Sequence, residues 1–360
     1  MFDLKYWYNE SVVPLLTPFY PPWHHFRTMD YYDIARPEVI EWLLDSETPG
    51  VRYWALQNLK DLSSKDSEVL TAQGVIPQSP EVQAILNAQD LEGYWVKPEH
   101  IYANKYTATT HSLLILAEFG MKRLPAIERG VEQLFTFQLN SGHFSTVRPK
   151  TARGYASTVS DTCCLDANIL YYLSHFGYLD DPRMQKTIQF LLDHYDDTQV
   201  GWKCRAYPIN VEAVFPPLCY MGLCKVLKAF STFPKQYRSK RVNAIIGQLV
   251  ELIFENQIYK YLRNPDGTRK EKAGWKRFGF PLFYNSDILE VLDTLTRLGV
   301  KDSRMDESIN IILEAQQPDG KWSLKHTFNG KFWHDIEKKG KPSKWITLRA
   351  LRVLRSYLKG

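Results

Sequence analysis

Four side chains of the kinds that bind zinc are spread through the middle of the chain. They are Cys164, Cys204, Cys219 and His143, drawn from five cysteines and nine histidines. Zinc is held by a tetrahedron of thiolates, imidazoles and carboxylates. The three cysteines are 40 and 15 residues apart, which matches no short zinc motif. Two interpretations stay open: a zinc site that the fold assembles, or small buried apolar side chains.

Two aspartates stand at the beginning of apolar segments. Asp161 opens residues 161–176 and Asp287 opens residues 287–298. An aspartate in this position commonly caps a helix. A carboxylic acid that its surroundings keep protonated can also act as a general acid. We predict Asp161 to be catalytic and Asp287 to help bind a substrate, whereas His111, inside the apolar segment 107–119, is interpreted as a core histidine.

The apolar residues recur at helical spacing along most of the chain, and strand patterns are nearly absent. Amphipathic segments alternate with segments that are apolar on most faces. The latter are 107–119, 161–176, 218–230, 287–298 and 345–358. A helix that is apolar on one side lies at the surface, and one that is apolar all round lies inside. The pattern predicts an all-α fold with an outer and an inner layer of helices.

A short repeat follows several of the amphipathic segments. Its copies are QDLEGYW (89–95), QLNSGHF (138–144) and QQPDGKW (316–322), with a degenerate copy around Gly201 and Trp202. Each full copy reads Gln-x-x-x-Gly-x-aromatic. The glycine permits a tight turn, the aromatic ring can pack on the next hairpin, and the glutamine amide can bond backbone at the next helix end. The repeat favours an α/α toroid, a closed ring of five to six helical hairpins.

In such a ring, the loops that leave the outer helices meet the N-termini of the inner helices at one end. We predict a substrate-binding site there. Its residues are Tyr106, Trp275, Phe278, Tyr284, Asp287 and Trp345, with the basic side chains Arg277, Lys344 and Arg349. The basic side chains come from a last third of the chain that is rich in lysine and arginine. Helix N-termini at this end also favour anions.

Over roughly residues 80–358 the repeats resemble those of the terpenoid cyclase and protein prenyltransferase superfamily. The segment STVSDTCCLD (157–166) resembles two of its signatures. Val159-Ser160-Asp161 is similar to the start of the VSDCTAE segment of oxidosqualene cyclases, where the aspartic acid protonates the substrate, but the residues after it depart. Asp161-Thr162-Cys163 is similar to the Asp-x-Cys zinc ligands of prenyltransferases, although Ile346 stands where their ligand histidine would be. The Asp-x-Asp-Asp acid motif of the squalene-hopene type is missing.

The resemblance implies an enzyme that converts an isoprenoid or another lipid-like small molecule in the central cavity of the ring. Asp161 would be the general acid, and aromatic faces would stabilise the cation that forms. A second hypothesis is a zinc-dependent prenyltransferase-like enzyme. A third is a non-catalytic toroid that binds a lipid or a protein partner. The second hypothesis requires zinc, and no other cofactor is expected.

The composition limits the remaining classes. The formal net charge of +5, from 45 basic and 40 acidic residues, is too mild to indicate a nucleic-acid partner. No segment approaches 18 uninterrupted apolar residues, so we predict no transmembrane segment and a cytoplasmic location. Residues 1–36 are rich in aromatics and proline and are expected to plug one mouth of the ring, with peripheral membrane contact as the alternative. Residues 37–360 are predicted to form one toroid domain.

Overall fold

A computed structural model describes residues 30–148, 163–202 and 219–359. Within these ranges the chain forms fourteen α-helices and one two-stranded antiparallel hairpin. The helices are α1 (Tyr31–Ile34), α2 (Pro37–Leu43), α3 (Pro49–Asn58), α4 (Ser67–Val75), α5 (Pro80–Asn87), α6 (Thr109–Glu118), α7 (Pro125–Phe135), α8 (Cys163–His175), α9 (Pro182–Asp193), α10 (Tyr220–Thr232), α11 (Lys240–Glu255), α12 (Ile288–Arg297), α13 (Asp306–Glu314) and α14 (Lys344–Lys359). Strand β1 (Leu262–Arg263) pairs with β2 (Arg269–Lys270), with Leu262 opposite Lys270.

The inner layer consists of α3, α6, α8, α10, α12 and α14. Each of α6, α8, α10 and α12 contacts the next inner helix along the chain, and α14 contacts α3. The ring is completed between α3 and α6, where Trp54 Nε1 donates to Glu118 O at 2.9 Å. The outer helices α4, α7, α9, α11 and α13 pack on the inner helices that precede them. This confirms the predicted all-α ring of inner and outer helices.

The two layers differ in burial as the apolar patterns predicted. All ten residues of α6 are buried, whereas α7 buries one face of Ile127, Val131 and Leu134. A helix that packs on both sides gains burial from every side chain, and a helix at the surface gains it from one stripe. The predicted inner segments match the observed inner helices to within a few residues at each end.

The first repeat shows why its residue types are needed. The Gln89 amide donates to Gly93 O at 3.0 Å and to Ala126 O, in the first turn of α7, at 2.8 Å. Trp95 Nε1 donates back to Ile85 O at 2.7 Å. Gly93 has a φ of 95°, and a Cβ there would lie 2.4 Å from the carbonyl oxygen of Arg129. Only glycine fits this turn, because both the conformation and the close approach exclude a side chain.

The other two full copies repeat these hydrogen bonds at later hairpins. The Gln138 amide donates to Arg183 O, in the first turn of α9, at 2.7 Å. The Gln316 amide donates to Ile34 O, at the end of α1, at 3.0 Å. The last repeat therefore joins the end of the chain to its beginning, 282 residues away. Helix α1, which lies within the predicted N-terminal segment, also contacts α14. None of the described helices is long and apolar enough to cross a membrane.

Candidate functional site

A group of aromatic side chains lies where α6, α12 and α14 begin. We call this group the aromatic cluster; its members are Tyr102, Tyr106, His111, Phe283, Phe328 and Phe332. The ring centroids of Tyr106 are 4.7 Å from Phe283 and 4.0 Å from Phe328. His111 lies 4.8 Å from Tyr102 and 5.1 Å from Phe283. The imidazole is thus enclosed by aromatic rings on several sides.

Hydrogen bonds between distant segments hold the aromatic cluster together. Asn168 on α8 donates from Nδ2 to Phe283 O at 3.0 Å. Trp333 Nε1 donates to Ser112 Oγ on α6 at 3.1 Å. The Tyr106 amide donates to a backbone carbonyl of the loop before α14 at 3.4 Å. The cluster is therefore positioned by the inner helices α6 and α8 and by the two loops that lead into α12 and α14.

His111 is the polar centre of this cluster. Its side chain is 1% exposed, and neither ring nitrogen has a hydrogen-bond partner within the described ranges. Burial, assisted by the charge of Lys105, lowers the pKa of His111 to about 3. The imidazole is therefore neutral at physiological pH. A buried polar group without a hydrogen bond lowers the stability of the fold. The presence of the His111 imidazole inside this ring of aromatic side chains therefore fits a functional role.

Two of the predicted substrate-binding residues belong to this region directly. Tyr106 is a member of the aromatic cluster. Tyr284 lies at its edge, where Lys105 Nζ is 4.9 Å from the Tyr284 ring centroid and 5.1 Å from that of Tyr102. Trp345 lies in a separate stack, with its ring 4.4 Å from Phe280 and 5.5 Å from Phe119, at the end of α6. The structure brings Tyr106 and Tyr284 together and places Trp345 elsewhere, and the substrate-binding role of all three stays a prediction.

Asp287 caps α12 and ties the preceding loop to it. Oδ1 accepts the Glu290 amide at 2.8 Å and Oδ2 accepts the Gly279 amide at 2.9 Å. Burial raises the pKa of Asp287 to about 6, against the effect of these two hydrogen bonds. At pH 7 the carboxyl group is mainly ionised, so it fits a helix cap that positions the loop better than a protonated acid.

Trp275 and Phe278 are buried in the same loop. The Trp275 ring lies 5.7 Å from Tyr220 and 5.6 Å from Tyr261. The Phe278 carbonyl accepts two backbone amides of the loop before α14, from Lys325 at 3.0 Å and from its neighbour at 3.1 Å. Both residues therefore support the loop that carries Phe280 and Phe283.

A network of buried charges fills the ring interior beside the aromatic side chains. We call it the buried ion network; its members are Glu118, Lys225, Lys228, Glu290 and Arg349. Lys228 Nζ lies 2.7 Å from Glu118 Oε1 and 3.0 Å from Glu290 Oε1. Lys225 Nζ lies 2.6 Å from Glu290 Oε2, and Arg349 Nη2 lies 2.6 Å from Glu118 Oε2. All five side chains are less than a tenth exposed.

These ion pairs control the ionisation of the two glutamates. Burial alone would raise the pKa of Glu118, but Lys228 and Arg349 hold it well below its usual range. Burial is opposed in the same way at Glu290, where Lys225 and Lys228 lower the pKa to about 2. Both carboxylates are ionised at neutral pH. Charges that are paired in this way cannot readily separate, because an unpaired buried charge is very unfavourable.

The predicted basic substrate-binding residues are placed differently from one another. Arg349 belongs to the buried ion network and also lies 4.8 Å above the Phe280 ring. Lys344 Nζ is 3.1 Å from Asp45 Oδ2 and 3.0 Å from Thr48 Oγ1. Arg277 packs near Gly274. Because Arg349 and Lys344 already have partners within the protein, neither is positioned to hold a separate anion.

His143 is engaged within its own repeat. Its Nδ1 lies 2.7 Å from Asp166 Oδ2, and the Phe144 amide donates to Asp166 Oδ1 at 3.0 Å. The imidazole stacks on Phe190 at 5.0 Å. These contacts attach the second repeat to α8. His143 is a predicted metal ligand, and its hydrogen bond to Asp166 has no signal in the sequence, because the two residues are 23 positions apart.

Two thiols meet where α8 and α10 begin. A Cβ placed on Gly222 would lie 2.4 Å from Cys163 Sγ and 3.6 Å from Cys219 Sγ. Asp161 and Cys204 lie outside the described residues, and Cys164 is the residue after Cys163. Within the described ranges, no group of three or more His, Cys, Asp and Glu side chains is arranged to hold a metal ion. The predicted zinc site includes Cys204, so it stays a prediction.

The chain is similar to several solved structures, at low identity. A protein from Actinoplanes is 13% identical over 87% of this chain and 89% of its own, with a TM-score of 0.42. The type II terpene cyclase MstE from Scytonema is 14% identical over 78% of this chain and 96% of its own, with a TM-score of 0.33. A variant of MstE in complex with geranylgeranyl dihydroxybenzoate is 15% identical over 78% and 94%, with a TM-score of 0.31. Likeness at this level says nothing about activity, substrate or site residues.

No protein-family model matches the chain, and no curated protein matches it either.

Proposed function

We propose that this chain is a terpene cyclase-like enzyme that binds an isoprenoid chain against the aromatic cluster. The observation that carries the proposal is the cluster itself, in which stacked rings surround a neutral, buried imidazole. Aromatic faces stabilise a carbocation by their electron density and do not attack it as nucleophiles. A site of this kind suits a reaction whose intermediates are carbocations.

Asp161 is the proposed general acid. It stands two positions before Cys163, the first residue of α8. Helix α8 contacts the aromatic cluster, because Asn168 Nδ2 donates to Phe283 O at 3.0 Å. The proposal requires that Asp161, which lies outside the described residues, reach an alkene that rests on the cluster. Proton addition to one carbon of the double bond leaves the cation on the other.

His111 is the proposed proton acceptor at the end of the reaction. A cyclisation of this type ends when a C–H bond next to the cation breaks and its electron pair forms the new double bond. The released proton needs a neutral base, and a neutral imidazole has one accepting nitrogen. The low pKa of His111 keeps the imidazole neutral before the reaction. A charged imidazolium in this place would instead repel the cation.

The buried ion network limits the size of the proposed substrate. An apolar chain that extended among Glu118, Lys228, Glu290 and Arg349 would remove their remaining solvation without offering hydrogen bonds. The substrate is therefore expected to lie at the end of the ring that carries the aromatic cluster. This favours a short prenyl chain over a triterpene.

The test is to incubate the purified protein with geranyl, farnesyl and geranylgeranyl diphosphates and with the corresponding free polyenes. Products are separated by gas chromatography and identified by mass spectrometry. We expect a cyclic product from one of the shorter chains, lost in Asp161→Asn and retained in Asp319→Asn, an exposed aspartate in the last repeat. No product from any substrate, or equal activity in both variants, would refute the proposal.

The zinc-dependent hypothesis predicts a different result. It requires one zinc ion per purified chain, held by Cys164, Cys204, Cys219 and His143. Elemental mass spectrometry of the wild type beside a Cys164→Ser, Cys204→Ser double variant measures this directly. One zinc per chain that is lost in the double variant would support that hypothesis over ours. Binding of an isoprenoid without any product would support the non-catalytic alternative.

A further inference from the structure

A cavity of about 440 Å³ opens at the opposite end of the ring, where α3, α12 and α14 end. We call it the basic mouth. It is lined by Gln57, Asn58, Asp61, Asp293, Thr296, Arg297, Arg352, Arg355, Ser356 and Lys359. We propose that the basic mouth binds a small, fully polar anion that carries phosphate groups. This site is independent of the aromatic cluster and of the activity proposed for it.

The basic side chains of the mouth outnumber its carboxylates. Asp293 is held by Arg352, whose Nε and Nη2 lie 2.6 and 2.7 Å from its two oxygens. Arg297 reaches the same carboxylate by one contact of 3.3 Å from Nη2. This is the only hydrogen bond that the Arg297 guanidinium makes within the described residues. A guanidinium has five N–H donors, so most of those on Arg297 are available to a ligand.

The second carboxylate of the mouth, Asp61, is also paired with an arginine. Asp61 accepts two hydrogen bonds from Arg355, one of them from Nη1 at 2.6 Å, and Arg355 Nη1 also donates to Asn58 O at 2.7 Å. Lys359 Nζ lies 3.7 Å from the ring centroid of Tyr32. Among the described residues it forms no ion pair. An aromatic face holds an ammonium group in place without cancelling its charge.

The interior of the ring does not supply the missing negative charge. A narrow crevice of about 30 Å³ continues inward from the mouth and shares Asp293, Arg297 and Arg352 with it. The acids further in, Glu118 and Glu290, are already held by members of the buried ion network. The positive charge on Arg297 and Lys359 is therefore left for a ligand.

The shape and chemistry of the mouth indicate the class of ligand. Cavities of about 300–1,000 Å³ are usual for small-molecule sites. Every described residue that lines this one is polar or charged, so a ligand in the mouth meets hydrogen-bond donors and acceptors on all sides. Guanidinium groups bind phosphate through two parallel hydrogen bonds, and an ammonium group adds a point charge. A compact phosphate or diphosphate matches this combination better than an apolar carboxylate.

The test uses inorganic pyrophosphate, inorganic phosphate and citrate as probes in isothermal titration calorimetry at 0.15 M salt. We expect one pyrophosphate to bind per chain, with weaker binding of phosphate. The Arg297→Gln, Lys359→Gln double variant is expected to weaken pyrophosphate binding at least tenfold. The matched control is Arg129→Gln, Lys186→Gln, which removes the same two charges from exposed positions on α7 and α9 and should change binding less than twofold.

Three results would overturn the proposal. They are no pyrophosphate binding at millimolar concentration, an equal loss in the control variant, and citrate binding as tight as that of pyrophosphate. The last two would indicate a general attraction of anions to a basic protein. If the double variant does not fold, Lys359→Gln alone is used, because that side chain lies at the end of α14 and makes no described hydrogen bond. It is expected to weaken binding at least threefold, and no change would count against the site.

Discussion

The two ends of the ring differ in chemistry although the same inner helices build both. Where α6, α12 and α14 begin, aromatic rings enclose a neutral histidine. Where α12 and α14 end, arginine and lysine side chains line an open polar cavity. The buried ion network lies between the aromatic end and the basic mouth. The comparison teaches that the ring scaffold does not dictate one central apolar cavity, because charged side chains can divide its interior.

The largest effect on stability is expected from disrupting the buried ion network, which lies between the two ends of the ring. Glu118→Gln removes the carboxylate that pairs with Lys228 and Arg349, and both cations stay buried. The free energy of unfolding should fall by about 3–5 kcal/mol, as is typical when one partner of a buried ion pair is removed. Urea denaturation followed by circular dichroism measures this change. Glu128→Gln, which removes an exposed pair with Arg123, should change it by less than about 1 kcal/mol, and similar losses in both variants would contradict the assigned burial.

The aromatic end can be tested separately through pH. The pKa of His111 is about 3 in the folded protein and about 6.5 in an unfolded chain. Below pH 6.5 the unfolded state therefore binds the extra proton, and stability falls as the pH is lowered toward 3, by about 1.4 kcal/mol per pH unit. His111→Phe should lower the slope between pH 6 and 4 by about that amount, and His175, whose pKa burial also lowers, contributes to what remains. His194→Gln, at an exposed histidine, should leave the slope as in the wild type.

An aliphatic replacement in the same cluster separates packing from cation stabilisation. Phe283→Leu keeps an apolar side chain but leaves a small cavity at a buried site, so it should cost about 1–2 kcal/mol of stability. It removes an aromatic face, so turnover of the isoprenoid should fall at least tenfold. Phe233→Leu is the control, since Phe233 is 1% exposed and lies after α10, away from the cluster. Equal turnover in both variants would argue against a role for the Phe283 ring.

The smallest effect is expected at the rim of the basic mouth. Arg355 and Asp61 form an ion pair in which the Asp61 side chain is 71% exposed. Exposed pairs of this kind contribute about 0.2–1 kcal/mol. Arg355→Gln should therefore change the midpoint of urea unfolding only slightly, and less so at 1 M salt than at 0.05 M. If Arg355→Gln lowered the free energy of unfolding as much as Glu118→Gln does, the Arg355–Asp61 pair would have to be buried, contrary to the structure.

The ring could be predicted from the sequence because its determinants are local and repeated. Gln89, Gln138 and Gln316 each stand four residues before the glycine whose carbonyl they bond. Helical spacing also separated inner from outer helices. Patterns of this kind can be read without knowing which helices pack together, and for that reason the all-α ring was predicted correctly.

The interior charges could not be predicted in this way. Lys228 and Arg349 stand inside apolar segments, 110 and 231 residues away from Glu118. No local pattern connects them, so Arg349 was predicted to bind substrate and Lys225 and Lys228 were not singled out. The aromatic cluster was predicted only in part. Tyr106 and Tyr284 stand close to helix starts, whereas Phe328 and Phe332 lie in a long loop with no periodicity.

The hydrogen bond from Gln316 to the end of α1 has a consequence for the order of folding. It joins residues 282 positions apart, and closing a loop of that length costs more chain entropy than closing any single hairpin. Helix α14, which packs on α1, α2 and α3, is synthesised after all the others. Each hairpin can form as it is synthesised, but the contacts between the first and the last helices can form only after α14 has been synthesised. Ring closure is therefore expected to be the slow step of folding, and until then α3 has an unprotected apolar face for chaperones to cover.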